Sequence, residues 1–122
     1  MTLQDATART AIARPMPRAT AQVEVYVEVL GYELAMDFLL TFGGAGLSVS
    51  PAQNGSSQFE ALIGPDKAKQ LGAQAHRLAR EVPLAKRWLT AMLHWQGRSK
   101  ADIARTLRIS QVSVRKWLRE AR

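Results

Sequence analysis

The chain has 122 residues, of which 47% are hydrophobic, a composition typical of a folded domain rather than of a disordered segment. It contains no cysteine, so disulfide bonds and thiolate chemistry are excluded. Residues 1–74 carry a net charge of −2, whereas residues 75–122 carry +9, with twelve Lys/Arg against three Asp/Glu. Such a cationic block is typical of proteins that bind a polyanion, because each neutralised phosphate releases counterions. A solvated basic surface is the alternative.

Two further classes of protein are disfavoured by the residue pattern. No apolar run approaches the roughly 18–20 residues of a membrane span, and the N-terminal residues lack the apolar block of a secretory signal. We therefore expect a cytoplasmic protein with no membrane partner. His76 and His94 have no acidic residue at metal-ligand spacing, and no nucleophile–base pattern stands out. We expect no metal, no cofactor and no enzyme activity.

The N-terminal part is predicted to contain an arm followed by a helical region. Residues 1–20 lack sustained periodicity and are predicted to form a flexible arm. Residues 21–80 are predicted to form a dimerisation or interaction region. Within it, residues 23–29 alternate as a strand does, but their spacing also fits a helical stripe with a break near Gly31. We favour the helix.

Glycine and proline residues predict where that helix ends and where the next elements begin. Gly43-Gly44 is expected to end the helix with a left-handed cap. Residues 47–50 then favour a short β-strand closed by Pro51, and helical signals resume at about Gly64.

A weak internal repeat connects the two helical regions. At an offset of 33, residues 30–35 align with residues 63–68, and Phe38 aligns with Leu71. Chance can produce such a match, since few positions are identical. If the repeat is genuine, the short extended segments that come after the two units can pair within the chain or across a dimer.

Residues 81–122 are predicted to form a helix-turn-helix DNA-binding domain of three short helices. Ser99 and Ser110 are typical N-caps for the second and third helices, and residues 108–109 make the turn between them. Ala104 is small where the two helices cross. An ordinary three-helix bundle with a basic face is the alternative. The predicted helices cover residues 83–95, 100–107 and 111–120.

The third predicted helix places polar and basic side chains on one face and Val114, Trp117 and Leu118 on the other. Such side chains can donate hydrogen bonds to base edges and phosphates in the major groove. The residues predicted to contact bases are Gln111, Val112, Ser113, Arg115 and Lys116. Those predicted to contact the DNA backbone are Lys100, Ser110, Arg119, Arg98 and Arg105.

Two resemblances sharpen this prediction. Residues 99–118 (Ser-x-x-x-Ile-Ala-Arg-x-Leu-x-Ile-Ser-x-x-x-Val-x-x-Trp-Leu) are similar to the helix-turn-helices of many transcription regulators, invertases and transposases, with Arg108 where glycine is usual. Upstream lie an acidic helical segment, Phe42-Gly43-Gly44, the short strand and Pro51. In this order of elements the chain resembles the Mor family of phage middle-operon transcription activators.

The Mor resemblance implies a phage or mobile-element transcription regulator that binds a dyad-related double-stranded DNA site as a homodimer. RNA polymerase is then an expected partner. The implied fold is mainly α, with an N-terminal helical dimerisation segment and a short β-strand before the C-terminal helix-turn-helix. An internal core is the alternative role for the apolar residues that match the dimer segment, which are Leu30, Leu34, Phe38, Phe42, Leu47 and Val49.

Two other functions stay open at this point. The chain can be a DNA-binding accessory protein of recombination or packaging. It can also be a protein-interaction module whose acidic half binds a host protein, with the three helices as scaffold.

Overall fold

The chain folds mainly as α-helices in a computed structural model, which describes residues 15–46 and 57–120. The fold divides into two units. One is Ala19–Ala85, and the other combines residues 15–18 with residues 86–120. Across the described ranges, every helix is too short or too polar to cross a membrane.

In its described residues, the Ala19–Ala85 unit contains three helices and one short 3-10 turn. Residues 23–29 are helical, as favoured from the sequence, and the helix breaks at Gly31, which has φ 80° and ψ 158°. The Gly31 N–H still donates to the Val27 carbonyl and closes the last turn. The elements are α1 (Ala21–Leu30), α2 (Tyr32–Phe42), α3 (Ser57–Ala73) and the 3-10 turn Ala75–Arg77.

The end of α2 is held by a short backbone pairing. The predicted left-handed cap is wrong for Gly43, whose φ is −51°, although Gly44 does have a positive φ of 87°. The Gly44 N–H donates to the Val82 carbonyl, and the Val82 N–H donates to the Ala45 carbonyl. The extended segment after α2 thus pairs within the chain. The predicted strand at residues 47–50 and Pro51 lies outside the described residues.

The start of α3 differs from the prediction. The helix begins at Ser57, well before Gly64, because Phe59 and Ile63 are buried on its inner face. Gly64 instead interrupts it, with φ 84° and ψ 161°, and Pro65 then starts the second part. The short length of each half hides the side-chain periodicity in the sequence.

The repeat at an offset of 33 has a structural counterpart. Gly31 and Gly64 share nearly the same backbone conformation, each between two helical segments. The aligned positions around them are buried in both copies. These pairs are Tyr26 and Phe59, Leu30 and Ile63, Ala35 and Ala68, and Phe38 and Leu71.

Phe38 lies at the centre of this unit's core. It is fully buried, and its ring centroid lies 5.5 Å from Tyr26, 5.0 Å from Phe42 and 5.2 Å from Phe59. Leu30 is also buried. For Phe38 and Leu30, the structure therefore favours the internal-core alternative over a dimer surface.

Of the remaining residues in the predicted dimer segment, Leu34 and Phe42 are half-buried and keep part of their surface. Leu47 and Val49 lie outside the described residues. Dimerisation through any of these four side chains stays a prediction.

The second unit contains α4 (Lys86–Trp95), α5 (Lys100–Leu107) and α6 (Gln111–Glu120). The first of these starts three residues later than predicted, and Leu84, which falls within the predicted helix, precedes the observed one and is 55% exposed. Residues 15–18 belong to the same unit, and the Trp88 indole N–H donates to the Pro17 carbonyl at 3.4 Å. The predicted arm at residues 1–14 lies outside the described part of the chain.

The caps and the turn of this unit follow the sequence closely. Ser99 Oγ accepts from the Asp102 N–H, and Ser110 Oγ accepts from the Ser113 N–H, both at 3.1 Å. Arg108 occupies the left-handed region, with φ 58° and ψ 47°, so the chain reverses between α5 and α6 without a glycine. Such a conformation costs a non-glycine residue about 1–2 kcal/mol.

Candidate nucleic-acid interface

Helix α6 is anchored by one face and exposes the opposite one. Val114 is fully buried against α4 and α5, whereas Val112 is 65% exposed. Lys116 and Arg119 follow Val112 at spacings of four and seven residues, which places all three on one side of a helix. We call Val112, Lys116 and Arg119 the α6 ridge.

The two flanks of the ridge differ in character. Gln111 and Arg115 are both exposed, and their helical positions lie between the ridge and the buried side. On the opposite flank, the Arg87 guanidinium lies 5.5 Å from the centre of the Trp117 ring and pairs with Glu120 at 3.3 Å. Those contacts tie α6 to α4 and leave the ridge itself uncovered.

The cations of α6 that were predicted to contact DNA are exposed and unpaired. Among residues 15–46 and 57–120, no carboxylate lies within ion-pair distance of Arg115, Lys116 or Arg119. The same holds for Lys100 at the start of α5. With respect to the described part of the chain, these charges are left to solvent and ions, the condition from which phosphate binding gains counterion release.

Arg98 and Arg105 are in a different situation. Arg105 hydrogen-bonds to Asp102 Oδ1, and the Arg98 Nε lies 3.9 Å from Asp102 Oδ2. Arg98 also donates to Thr106 Oγ1 at 3.3 Å. Arg98 and Arg105, both predicted to contact the DNA backbone, thus share one carboxylate. The predicted DNA-contacting cations of α6 have no such partner in the described residues.

The serines at the start of α6 serve its local structure. Ser110 Oγ accepts from the Ser113 N–H and donates to Ser113 Oγ at 3.1 Å. An N-cap of this kind leaves the N–H groups of the first turn pointing out of the helix end, where a phosphate can accept from them. Ser110 remains exposed, and Ser113 is half-buried.

Sequence reasoning missed two features of this surface. It did not pair Asp102 with a basic residue, although the spacing of Arg98, Asp102 and Arg105 at four and three residues is a signal for ion pairs. It gave no role to Arg87, whose partners Trp117 and Glu120 are about thirty residues away and are brought close only by packing.

Among residues 15–46 and 57–120, no three His, Asp or Glu side chains cluster closely enough to hold a metal ion.

Comparison of the chain with protein-family models, curated proteins and solved structures found no match in any of the three.

Proposed function

We propose that this protein is a sequence-specific double-stranded DNA-binding transcription regulator, encoded by a phage or mobile element, that acts as a homodimer. Helices α5 and α6 are its helix-turn-helix, and α6 enters the major groove. The observation that carries the proposal is the α6 ridge: a cationic helix face opposite a fully buried residue, Val114, with no carboxylate of the described chain pairing with its cations.

Three local features support the helix-turn-helix assignment. The reversal at Arg108 is tight, and Ile109 donates its N–H to the Ala104 carbonyl at 3.0 Å. Ala104 is 9% exposed, and its small side chain permits a close crossing of α5 and α6. Two short helices joined in this way, with the second carrying basic residues, match the geometry that presents a helix to a DNA groove.

The helical register assigns different roles to the cations. Lys116 and Arg119 on the ridge approach the groove first, whereas Arg115 approaches from the flank. Val112 can contact a thymine methyl group from the ridge. Lys100 and the capped start of α6 bind phosphates and set the orientation of the helix on the duplex.

The homodimer and the RNA polymerase contact come from the Mor resemblance. Two-fold symmetry predicts a DNA site with two half-sites about one helical turn apart. Selection of bound sequences from a random duplex pool tests this directly. A symmetric motif with that spacing supports the proposal, and recovery of no shared motif contradicts it. Light scattering of the free protein should give the mass of a dimer.

The DNA-contacting surface is tested by matched charge removals. Lys116→Ala should weaken binding to the selected duplex and make the dependence of log K on log salt shallower by about 0.9 for each bound chain. Lys69→Ala removes the same charge from an exposed position in the other unit and should leave both quantities unchanged. Equal effects of the two variants would show that only net charge matters and would contradict the assignment of α6.

A further inference from the structure

A cavity of about 680 Å³ opens beside α6. Its walls come from α4, the start of α5, α6 and the prolines of residues 15–17, all within one unit. Its volume lies within the roughly 300–1,000 Å³ of small-molecule sites. We call it the α6 cavity.

One side of the α6 cavity is cationic. Lys100, Arg115 and Arg119 line it, and its described lining residues include no Asp or Glu. A carboxylate placed there meets up to three cations that have no other charged partner in the described chain. Charge-assisted hydrogen bonds of this kind are shorter and stronger than neutral ones.

Other residues that line the α6 cavity are apolar, and one of them is aromatic. Trp95, Ala91 and Leu118 line it, and all three are half-buried. A flat apolar ring can stack on the indole and remove this surface from water. The cavity therefore combines an anion-binding side with a surface for a planar group.

We propose that the α6 cavity binds a small aromatic carboxylate and that this ligand competes with DNA for Arg115 and Arg119. The second half of the proposal rests on the proposed DNA-binding function. Since the same two guanidinium groups cannot fully serve a bound carboxylate and a phosphate, the ligand weakens DNA binding. By linkage, DNA weakens ligand binding by the same factor.

The first test uses 2-naphthoate and its neutral analogue 2-naphthol, titrated calorimetrically into the full chain without DNA. The naphthoate should bind with one molecule per chain and roughly tenfold or more tightly than naphthol, as expected for a charge-assisted contact. Equal affinities, or no binding of either compound, would overturn the proposal.

The second test locates the site. Ala91→Phe fills the α6 cavity from α4 and should lower naphthoate affinity by roughly tenfold, while DNA affinity without naphthoate stays unchanged because Ala91 lies outside the ridge. Lys100→Gln, at an exposed position, should weaken naphthoate binding but leave naphthol binding unchanged. This second variant locates the site if Ala91→Phe does not fold. If either variant folds and still binds naphthoate as tightly as the wild type, the ligand does not occupy the α6 cavity and the proposal is refuted.

The third test measures the coupling. Saturating naphthoate should raise the Kd for the selected duplex by roughly fivefold or more. An unchanged Kd would refute the competition, while the titrations without DNA still decide whether the cavity binds the carboxylate. A chain that binds no duplex at all would instead refute the proposed function, and the same titrations would stand.

Discussion

Replacing Asp102 with asparagine should strengthen DNA binding at low salt and make it more sensitive to salt. The Asp102 carboxylate pairs with Arg105 and lies 3.9 Å from Arg98, so two guanidinium groups on the proposed DNA-binding surface share its single negative charge. Asparagine has nearly the same shape and no charge. Both arginines then become available to phosphates.

The magnitude depends on the number of unpaired cations. Lys100, Arg115, Lys116 and Arg119 have no carboxylate partner in the described chain, which predicts a slope of log K against log salt of about −3.6 per chain. Releasing Arg98 and Arg105 takes the slope to about −5.4. Between 50 and 200 mM salt, the contribution of each chain to the affinity then falls by about 1,800-fold instead of about 150-fold.

The cost to the fold should be small. The Ser99 hydroxyl accepts from the backbone N–H of Asp102, a donor that asparagine retains. The substitution loses the favourable interaction of the carboxylate with the start of α5, worth about 0.3–1 kcal/mol, and two exposed ion pairs worth about 0–1 kcal/mol each. A thermal melt of the variant checks that the helices remain folded.

The assay is a fluorescence-anisotropy titration of labelled duplex at several salt concentrations. Glu120→Gln is the matched control. It also removes one negative charge and breaks an ion pair, but this pair, with Arg87, lies away from the ridge. It should leave the slope unchanged. If Asp102→Asn leaves the slope unchanged or makes it shallower while the protein stays folded, Arg98 and Arg105 do not contact phosphates.

Three further predictions concern stability, and each is measured by urea unfolding. Arg108→Gly should stabilise the protein by up to about 1 kcal/mol, because glycine adopts the left-handed turn without the cost of a side chain; a lower midpoint would contradict this. Tyr26→Phe should stabilise by about 1 kcal/mol, because the buried hydroxyl has no hydrogen-bond partner within the described residues, and a loss of stability would reveal a missing partner. Burial also raises the pKa of Tyr26 to about 12. Since the unfolded tyrosine ionises near pH 10, stability should fall from about pH 10 to 12 in the wild type and less in this variant. Phe38→Ala should cost about 3–5 kcal/mol, since three aromatic rings surround it; a loss below about 1 kcal/mol would place Phe38 outside the core.

The features that residue types specify locally lie mostly in the C-terminal unit. Its second and third helices, the caps Ser99 and Ser110, and the turn at Arg108 occur where the sequence predicts them. The reason is that a cap or a turn is stabilised by atoms within three or four residues along the chain, so the residue types alone specify it. The same locality allowed the break at Gly31 to be predicted.

Which apolar residues form a core depends on tertiary packing. In the sequence, Phe38 and Leu30 fit a dimer surface and an internal core equally well, and the packing of α1, α2 and α3 against one another decides for the core. The start of α3 at Ser57, earlier than predicted, and the exposure of Leu84 likewise depend on residues far along the chain. Burial is a property of what packs against a side chain, and periodicity shows only which side chains share a face.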